Sequence, residues 1–132
     1  MKKIVIYFAI YLHIFSIQFY SFASAENISP STLPTAGIVK SGSADISQNN
    51  STMDINQSSS NAIISWNTFD IGSQATVNFN QPSSSSSTLN RVRTTDASRI
   101  YGNLNANGNL FFINPNGVCL LYTSDAADDR IG

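Results

Sequence analysis

The chain has 132 residues, a formal net charge of −1 and only 11% charged residues, against roughly 25% in an ordinary globular domain. Ser, Asn and Thr carry the polarity instead, and so few cations argue against a nucleic-acid surface, which needs clustered Lys and Arg to displace counterions. The one His, His13, lies in an apolar N-terminal stretch and the one Cys, Cys119, near the other end; the body therefore lacks Ser-His and Cys-His nucleophilic sites and most zinc sites.

Met1-Lys2-Lys3 opens the chain with two positive charges, Ile4 to Phe22 is mostly apolar, and Ala23-Ser24-Ala25 follows. This is the layout of a secretory signal peptide over residues 1–25, with the small side chains of Ala23 and Ala25 at the cleavage site. The apolar run is also near the length that spans a bilayer, so an uncleaved anchor is the competing reading. No Cys stands at the cut, so a lipid anchor there is not indicated.

Glu26 to Pro34 is a polar lead-in with two prolines. Short strands are expected from there on: Gly37 to Lys40, Ala44 to Ser47, Thr52 to Asn56 and Ala62 to Trp66. Phe69 to Ile71, Thr76 to Asn80, Leu89 to Val92 and Arg99 to Tyr101 continue the series. Alternation puts Met53 with Ile55 on one buried face, and Val77 with Phe79 on another. The run Ser83 to Ser87 reads as a flexible loop. Arg91, Arg93 and Arg99 read as a solvated strand face. Asp45, Asp54, Asp70 and Asp96 are isolated in sequence and read as solvated structural carboxylates, not as a catalytic pair.

The stretch Tyr101 to Gly117, YGNLNANGNLFFINPNG, is the most strongly marked. Leu110-Phe111-Phe112-Ile113 reads as a strand buried on both faces, between turns at Asn107-Gly108 and Asn114-Pro115-Asn116-Gly117. In the second turn Pro115 suits position i+1, Asn116 the following left-handed position, and Asn114 can close the turn with its side chain. Gly117 relieves crowding where the next strand begins. Strand signals about every 8–12 residues indicate an all-β domain. Spacing alone leaves a sandwich and a solenoid both open; very short strands and Asn/Ser-rich turns lean toward the solenoid.

Several blocks, in one order, carry a family resemblance. They are Ala62 to Gly72 (AIISWNTFDIG), Val77 to Pro82 (VNFNQP), Leu89 to Val92 (LNRV), Ile100 to Gly108 (IYGNLNANG) and Phe112 to Val118 (FINPNGV). Over about Leu33 to Val118 the chain resembles the two-partner secretion domain of filamentous haemagglutinins and related adhesins, haemolysins and contact-dependent inhibition exoproteins. The resemblance implies an all-β right-handed parallel β-helix with extra strands capping its start, here the incomplete N-terminal part of such a domain over residues 26–118. It implies an export-signal and folding-nucleus module, not an enzyme, with no catalytic, cofactor or metal site. It implies as partner an outer-membrane β-barrel transporter with periplasmic polypeptide-transport-associated domains, and a secreted or cell-surface location reached through the periplasm of a Gram-negative bacterium. Contact with host or neighbouring cells would come through a C-terminal region that is missing here.

Asn114, Pro115, Asn116 and Gly117 are the positions that match the family's most compact motif, and they are the candidate secretion motif. Beyond Val118 the resemblance stops. Cys119 to Gly132, beginning CLLYTSDAADD, resembles the translation of a transposon-based sequencing adapter, and residues 119–132 are expected to be non-native. A polysaccharide-binding or polysaccharide-cleaving secreted β-helix is the alternative from another functional class, and a structural cell-surface solenoid with no dedicated partner is a third.

Overall fold

The computed structural model describes the backbone of Lys3–Phe8 and residues 27–120. Among the described residues eleven strands run in chain order: β1 (Lys3–Phe8), β2 (Ile38–Ser41), β3 (Ala44–Asn49), β4 (Thr52–Gln57), β5 (Asn61–Trp66), β6 (Thr76–Asn80), β7 (Ser87–Val92), β8 (Ser98–Ile100), β9 (Asn103–Ala106), β10 (Asn109–Asn114) and β11 (Val118–Leu120). No helix occurs among the described residues. The cleavage-site residues Ala23 and Ala25, and residues 121–132, lie outside them.

The strands form three sheets, in the orders β1-β10-β7-β5-β2, β3-β4-β6-β9 and β11-β8. From β4 onward the chain coils. One coil is β4 and β5 with the corner 67–72; the second is β6, β7 and β8; the third is β9, β10 and β11. Coil stacks on coil in parallel: β4 on β6, β6 on β9, β5 on β7, β7 on β10 and β8 on β11. This is a parallel β-helix. Residues 24 and 27 apart in sequence therefore become neighbours, as where Asn78 bonds Asp54 and Asn105 bonds Asn78.

The N-terminal residues cap the first coil on all three sides. Strand β2 pairs antiparallel with β5, and β3 pairs antiparallel with β4 through a tight hairpin. On the third side the lead-in lies against the 67–74 corner, with a Thr35–Thr68 bridge. Gly72 N–H donates to Thr32 O at 2.9 Å there, and Gln74 N–H to Pro30 O at 2.8 Å. The first and second coils turn the same corner on a glycine: a Cβ on Gly102 would stand 2.1 Å from Gly72 O, so the backbones approach too closely for any side chain.

The coil interior is packed as the alternation predicts. Met53, Ile55, Val77 and Phe79 are all buried. Phe69 is the hub, edge-on to Trp66 at 5.3 Å and to Phe112 at 4.8 Å, and stacked on Phe79 at 6.5 Å. Each such ring pair adds about 0.5–1.5 kcal/mol beyond its buried area. Polar groups share this interior. Trp66 Nε1–H donates to Asn90 Oδ1 at 2.9 Å, fully buried. Thr88 donates to Gln57 Oε1 and accepts from Gln81 Nε2 at 2.9 Å. Gln81 Oε1 accepts the Gly108 N–H at 2.8 Å, and Asn107 bonds both main-chain groups of Gln81 at 2.7 Å. Gln57, Gln81 and Asn107 stand at the same corner of three successive coils, so this chain of amides staples the corner column.

Several expectations change. Phe69 to Ile71 is not a strand; only Ile71 makes a bridge, to Ile100, because the chain turns at once on Gly72. Asn103–Ala106 is a strand although its sequence is half Asn: those amides face outward and bond the coil below, while Ala106 is buried. Ser83 to Ser87 is no flexible loop. Ser86 N–H closes a turn onto Ser83 O at 3.1 Å, Ser86 is buried, and Ser87 begins β7. In β10 only one face is fully buried, that of Leu110, Phe112 and Asn114; Phe111 and Ile113 are half-buried on the outer face. Phe111 continues an outward apolar row formed with Ile63 and Leu89 in register.

The buried Trp66–Asn90 bond gives the first prediction. Asn90→Leu keeps the volume but leaves the indole N–H without its acceptor, and should lower stability in denaturant melts by about 1–3 kcal/mol. Asn80→Ala, which removes an exposed amide pair with Asn56, should cost no more than about 0.5 kcal/mol.

Candidate functional site

The turn after β10 is built from four residues with separate tasks. Gly117 N–H donates to Asn114 O at 2.9 Å and closes it. Pro115 occupies position i+1, where its fixed φ suits the turn and its missing N–H costs nothing. Asn114 Oδ1 accepts the Asn116 N–H at 2.9 Å, the side-chain closure expected from the sequence. The left-handed position differs from that expectation. It belongs to Gly117, at φ 98°, and Asn116 keeps a negative φ. No atom would lie within 4 Å of a Cβ on Gly117, so this glycine answers to backbone conformation, not to crowding.

The turn is also fastened to the coil beneath it. Asn114 is fully buried; its Nδ2 donates to Ser98 Oγ at 2.9 Å and to Asp96 O at 3.1 Å. Asn116 Nδ2 donates to Thr94 O at 3.1 Å. Ser98 N–H in turn donates to Gly117 O at 2.9 Å. Both Asn side chains thus bind the β7–β8 connection of the second coil. The turn therefore fixes the vertical register of the third coil as well as the angle between β10 and β11.

A second fastening lies one face away. Asp70 Oδ1 accepts the Arg99 main-chain N–H at 2.8 Å and its Nε–H at 3.3 Å, and Oδ2 pairs with Nη2 at 3.2 Å. Asp70 is buried, so it and Arg99 are not the solvated groups expected from sequence. The reason is coil geometry: 29 residues separate them along the chain, beyond any local pattern. Arg91 and Arg93 are exposed as expected. Asp54 stands on the outer face and accepts Asn78 Nδ2 at 2.9 Å, while Asp45 and Asp96 are exposed or in the β7–β8 loop. The structure therefore does not gather the four carboxylates. Among the described residues no group of three or more His, Cys, Asp or Glu could hold a metal ion. Cys119 is exposed in β11, paired in register with Arg99.

The arrangement is a register lock. The amide staples at Gln57, Gln81 and Asn107 belong to the same device. Sequence reading missed them because buried Gln and Asn look like turn or surface residues until the coil period is known.

Asn114→Ala should destabilise the chain by about 2–3 kcal/mol in a denaturant melt, since Ser98 and the Asp96 and Asn116 main-chain groups lose their partner. Pro115→Ala should cost no more than about 1 kcal/mol, because Ala adopts the same φ.

Residues 28–121 match the family model described as TPS secretion domain. The chain is 38% identical over 100 residues to a heme/hemopexin-binding protein of Haemophilus influenzae, an alignment covering 76% of this chain and 11% of that protein. A second heme/hemopexin-binding protein of Haemophilus influenzae is 46% identical over 68 residues, covering 52% of this chain and 7% of the relative. The chain thus spans about a tenth of the length of these curated relatives. Among solved structures it is similar to the HMW1 secretion domain from Haemophilus influenzae, with 33% identity and a TM-score of 0.63, over 67% of this chain and 23% of that one.

Proposed function

We infer function from family membership: the chain belongs to the TPS secretion domain family. Such domains are secretion modules of exoproteins that Gram-negative bacteria pass across the outer membrane, and an outer-membrane transporter partner recognises them. We propose that this chain is the export-signal and folding-nucleus module at the start of a large exoprotein. Its leader is removed after Ala25, and the chain is then bound in the periplasm, unfolded, by the polypeptide-transport-associated domains of its β-barrel transporter. It emerges and folds outside.

The observation that carries this reading is the difference between the two ends of the solenoid. The first coil is closed on all three sides by antiparallel strands and the lead-in. The third coil is built like the second, in parallel register, with its strands β9 and β11 at sheet edges among the described residues. A solenoid whose first end is capped can fold there and grow coil by coil. The described residues contain one Cys and few charges, which suits a chain threaded unfolded through a pore without disulfide traps.

The exoprotein's own activity is a further proposal, and adhesion, haemolysis and toxin delivery are the activities the resemblance implies. The two relatives named for heme/hemopexin binding favour a fourth, heme or hemopexin capture. Any of these would be specified beyond the matched residues.

The test is secretion of the full-length protein with its transporter, measured beside binding of the unfolded 26–118 segment to the transporter's periplasmic domains. Asn114→Ala should cut secretion at least tenfold, its loss of about 2–3 kcal/mol being about 30–160-fold in the folding equilibrium, and leave binding of the unfolded segment unchanged. Lost binding would make the turn a recognition element and reject the folding role. N-terminal sequencing of secreted material should begin at Glu26; a Met1 start would reject the leader reading.

A further inference from the structure

Strands β2, β5, β7 and β10 are apolar on both faces of their sheet. The inner face carries Ile64, Leu110 and Phe112 into the core. On the outer face the register sets two rows: Ile38, Ser65, Arg91 and Ile113, and beside it Ser41, Ile63, Leu89 and Phe111. Ile38, Ile63, Leu89 and Ile113 take no part in the interior core. Ile38 is 47% exposed, the one large hydrophobic side chain so open among the described residues. Ile63, Leu89 and Ile113 are half-buried.

Charge is sorted between the sheets. Arg91 stands exposed within the first row, Arg93 is exposed just past the end of β7, and Lys40 is exposed at the irregularity in β2. None of the three has an ion-pair partner among the described residues. The carboxylates lie elsewhere. Asp45 and Asp54 are on β3 and β4 of the other large sheet, Asp70 is buried against Arg99, and Asp96 is in the β7–β8 connection. Among the described residues, then, the outer face of β2, β5, β7 and β10 holds apolar groups and cations and no acid.

We propose that this face docks on an anionic lipid surface, the phosphate-bearing leaflet beside which the chain emerges and folds. That location rests on the export reading given above; the lipid affinity does not. A sheet seen face-on offers no main-chain groups to a partner, since its N–H and C=O groups are spent on neighbouring strands. What remains is apolar side chains on a plane with cations among them. Such a surface suits lipid: the apolar groups enter the headgroup–acyl boundary, and the guanidinium groups meet phosphates with two hydrogen bonds each. A protein partner would also need polar groups to set its orientation. The two rows supply only Ser41 and Ser65 for that, and Ser65 is buried.

The test uses the full-length protein expressed from Glu26 onward and refolded from denaturant, so that it does not depend on export. Vesicles of phosphatidylcholine containing phosphatidylglycerol should sediment with the protein, and vesicles of phosphatidylcholine alone should not. Arg91→Glu/Arg93→Glu should weaken partition onto the anionic vesicles at least about tenfold, and Ile38→Asp should weaken it several-fold. Ser47→Glu/Asn49→Glu, which places acid on the exposed edge strand β3 of the other sheet, should change it less than about twofold. No binding to the anionic vesicles would overturn the proposal, as would parent-like binding by Arg91→Glu/Arg93→Glu. An equal loss in Ser47→Glu/Asn49→Glu would overturn it too, since net charge alone would then govern binding. Protection of Arg91 from phenylglyoxal in the lipid-free protein, read by peptide mass, would show that another segment of the protein covers the face and would also overturn it. A failure of the export reading would show separately, as lost binding to the transporter's periplasmic domains.

Discussion

In a parallel coil every strand depends on its neighbours above and below for its main-chain hydrogen bonds. A buried strand edge without them leaves a row of N–H and C=O groups unsatisfied, each costing about 1–3 kcal/mol. The coil must therefore be closed at one end before it can stand at all. In this chain residues 30–49 do that closing, by antiparallel pairing with β4 and β5 and by the lead-in bonds at the 67–74 corner. The other end is where the constraint is passed on. Whatever lies against β9, β10 and β11 inherits the task.

Register is the second demand, because a slip by one residue would turn Leu110 and Phe112 outward and Phe111 and Ile113 inward. In β10, where both faces are apolar, hydrophobic packing alone distinguishes such slips weakly. The buried amides distinguish them strongly. Trp66 finds Asn90, Gln57 and Gln81 find Thr88, and Asn114 finds Ser98 only at one vertical setting. A fully satisfied polar network specifies an arrangement where a half-satisfied one is worse than apolar packing, and no buried side-chain N or O among the described residues lacks a partner. The Asn114–Gly117 turn is thus the third-coil member of a series that includes Gln57, Gln81 and Asn107.

Alternation made much of this legible in sequence. Thr52–Gln57 and Thr76–Asn80 show a period of two with apolar residues inward, and both are strands with those residues buried. The bracketing of β10 by Asn-Gly and Asn-Pro-Asn-Gly marked its limits to within one residue. What stayed hidden depended on contacts about 20–30 residues apart, where no local pattern operates. Asn103–Ala106 was not among the expected strands, because the outward Asn residues satisfy their amides only on the coil below. Asp70 looked solvated because Arg99 reaches it only after a full circuit. Asn116 was given the left-handed position because Asn tolerates it, yet Gly117 was available one residue later and takes it at lower cost. The family itself was recognisable from ordered blocks whose glycines, amides and aromatics are these same register-fixing residues.

The central claim is that the domain is one-ended: closed and firm at its first coil, and dependent at its last on what is added there. Native-state hydrogen exchange of the chain beginning at Glu26, followed residue by residue through low denaturant concentrations, tests this most directly. Amides of β9 and β10 should open at lower denaturant than those of β4 to β7, as a separate step that leaves the first coil protected. Opening of all coils in a single step, or of β4 and β5 before β10, would contradict it.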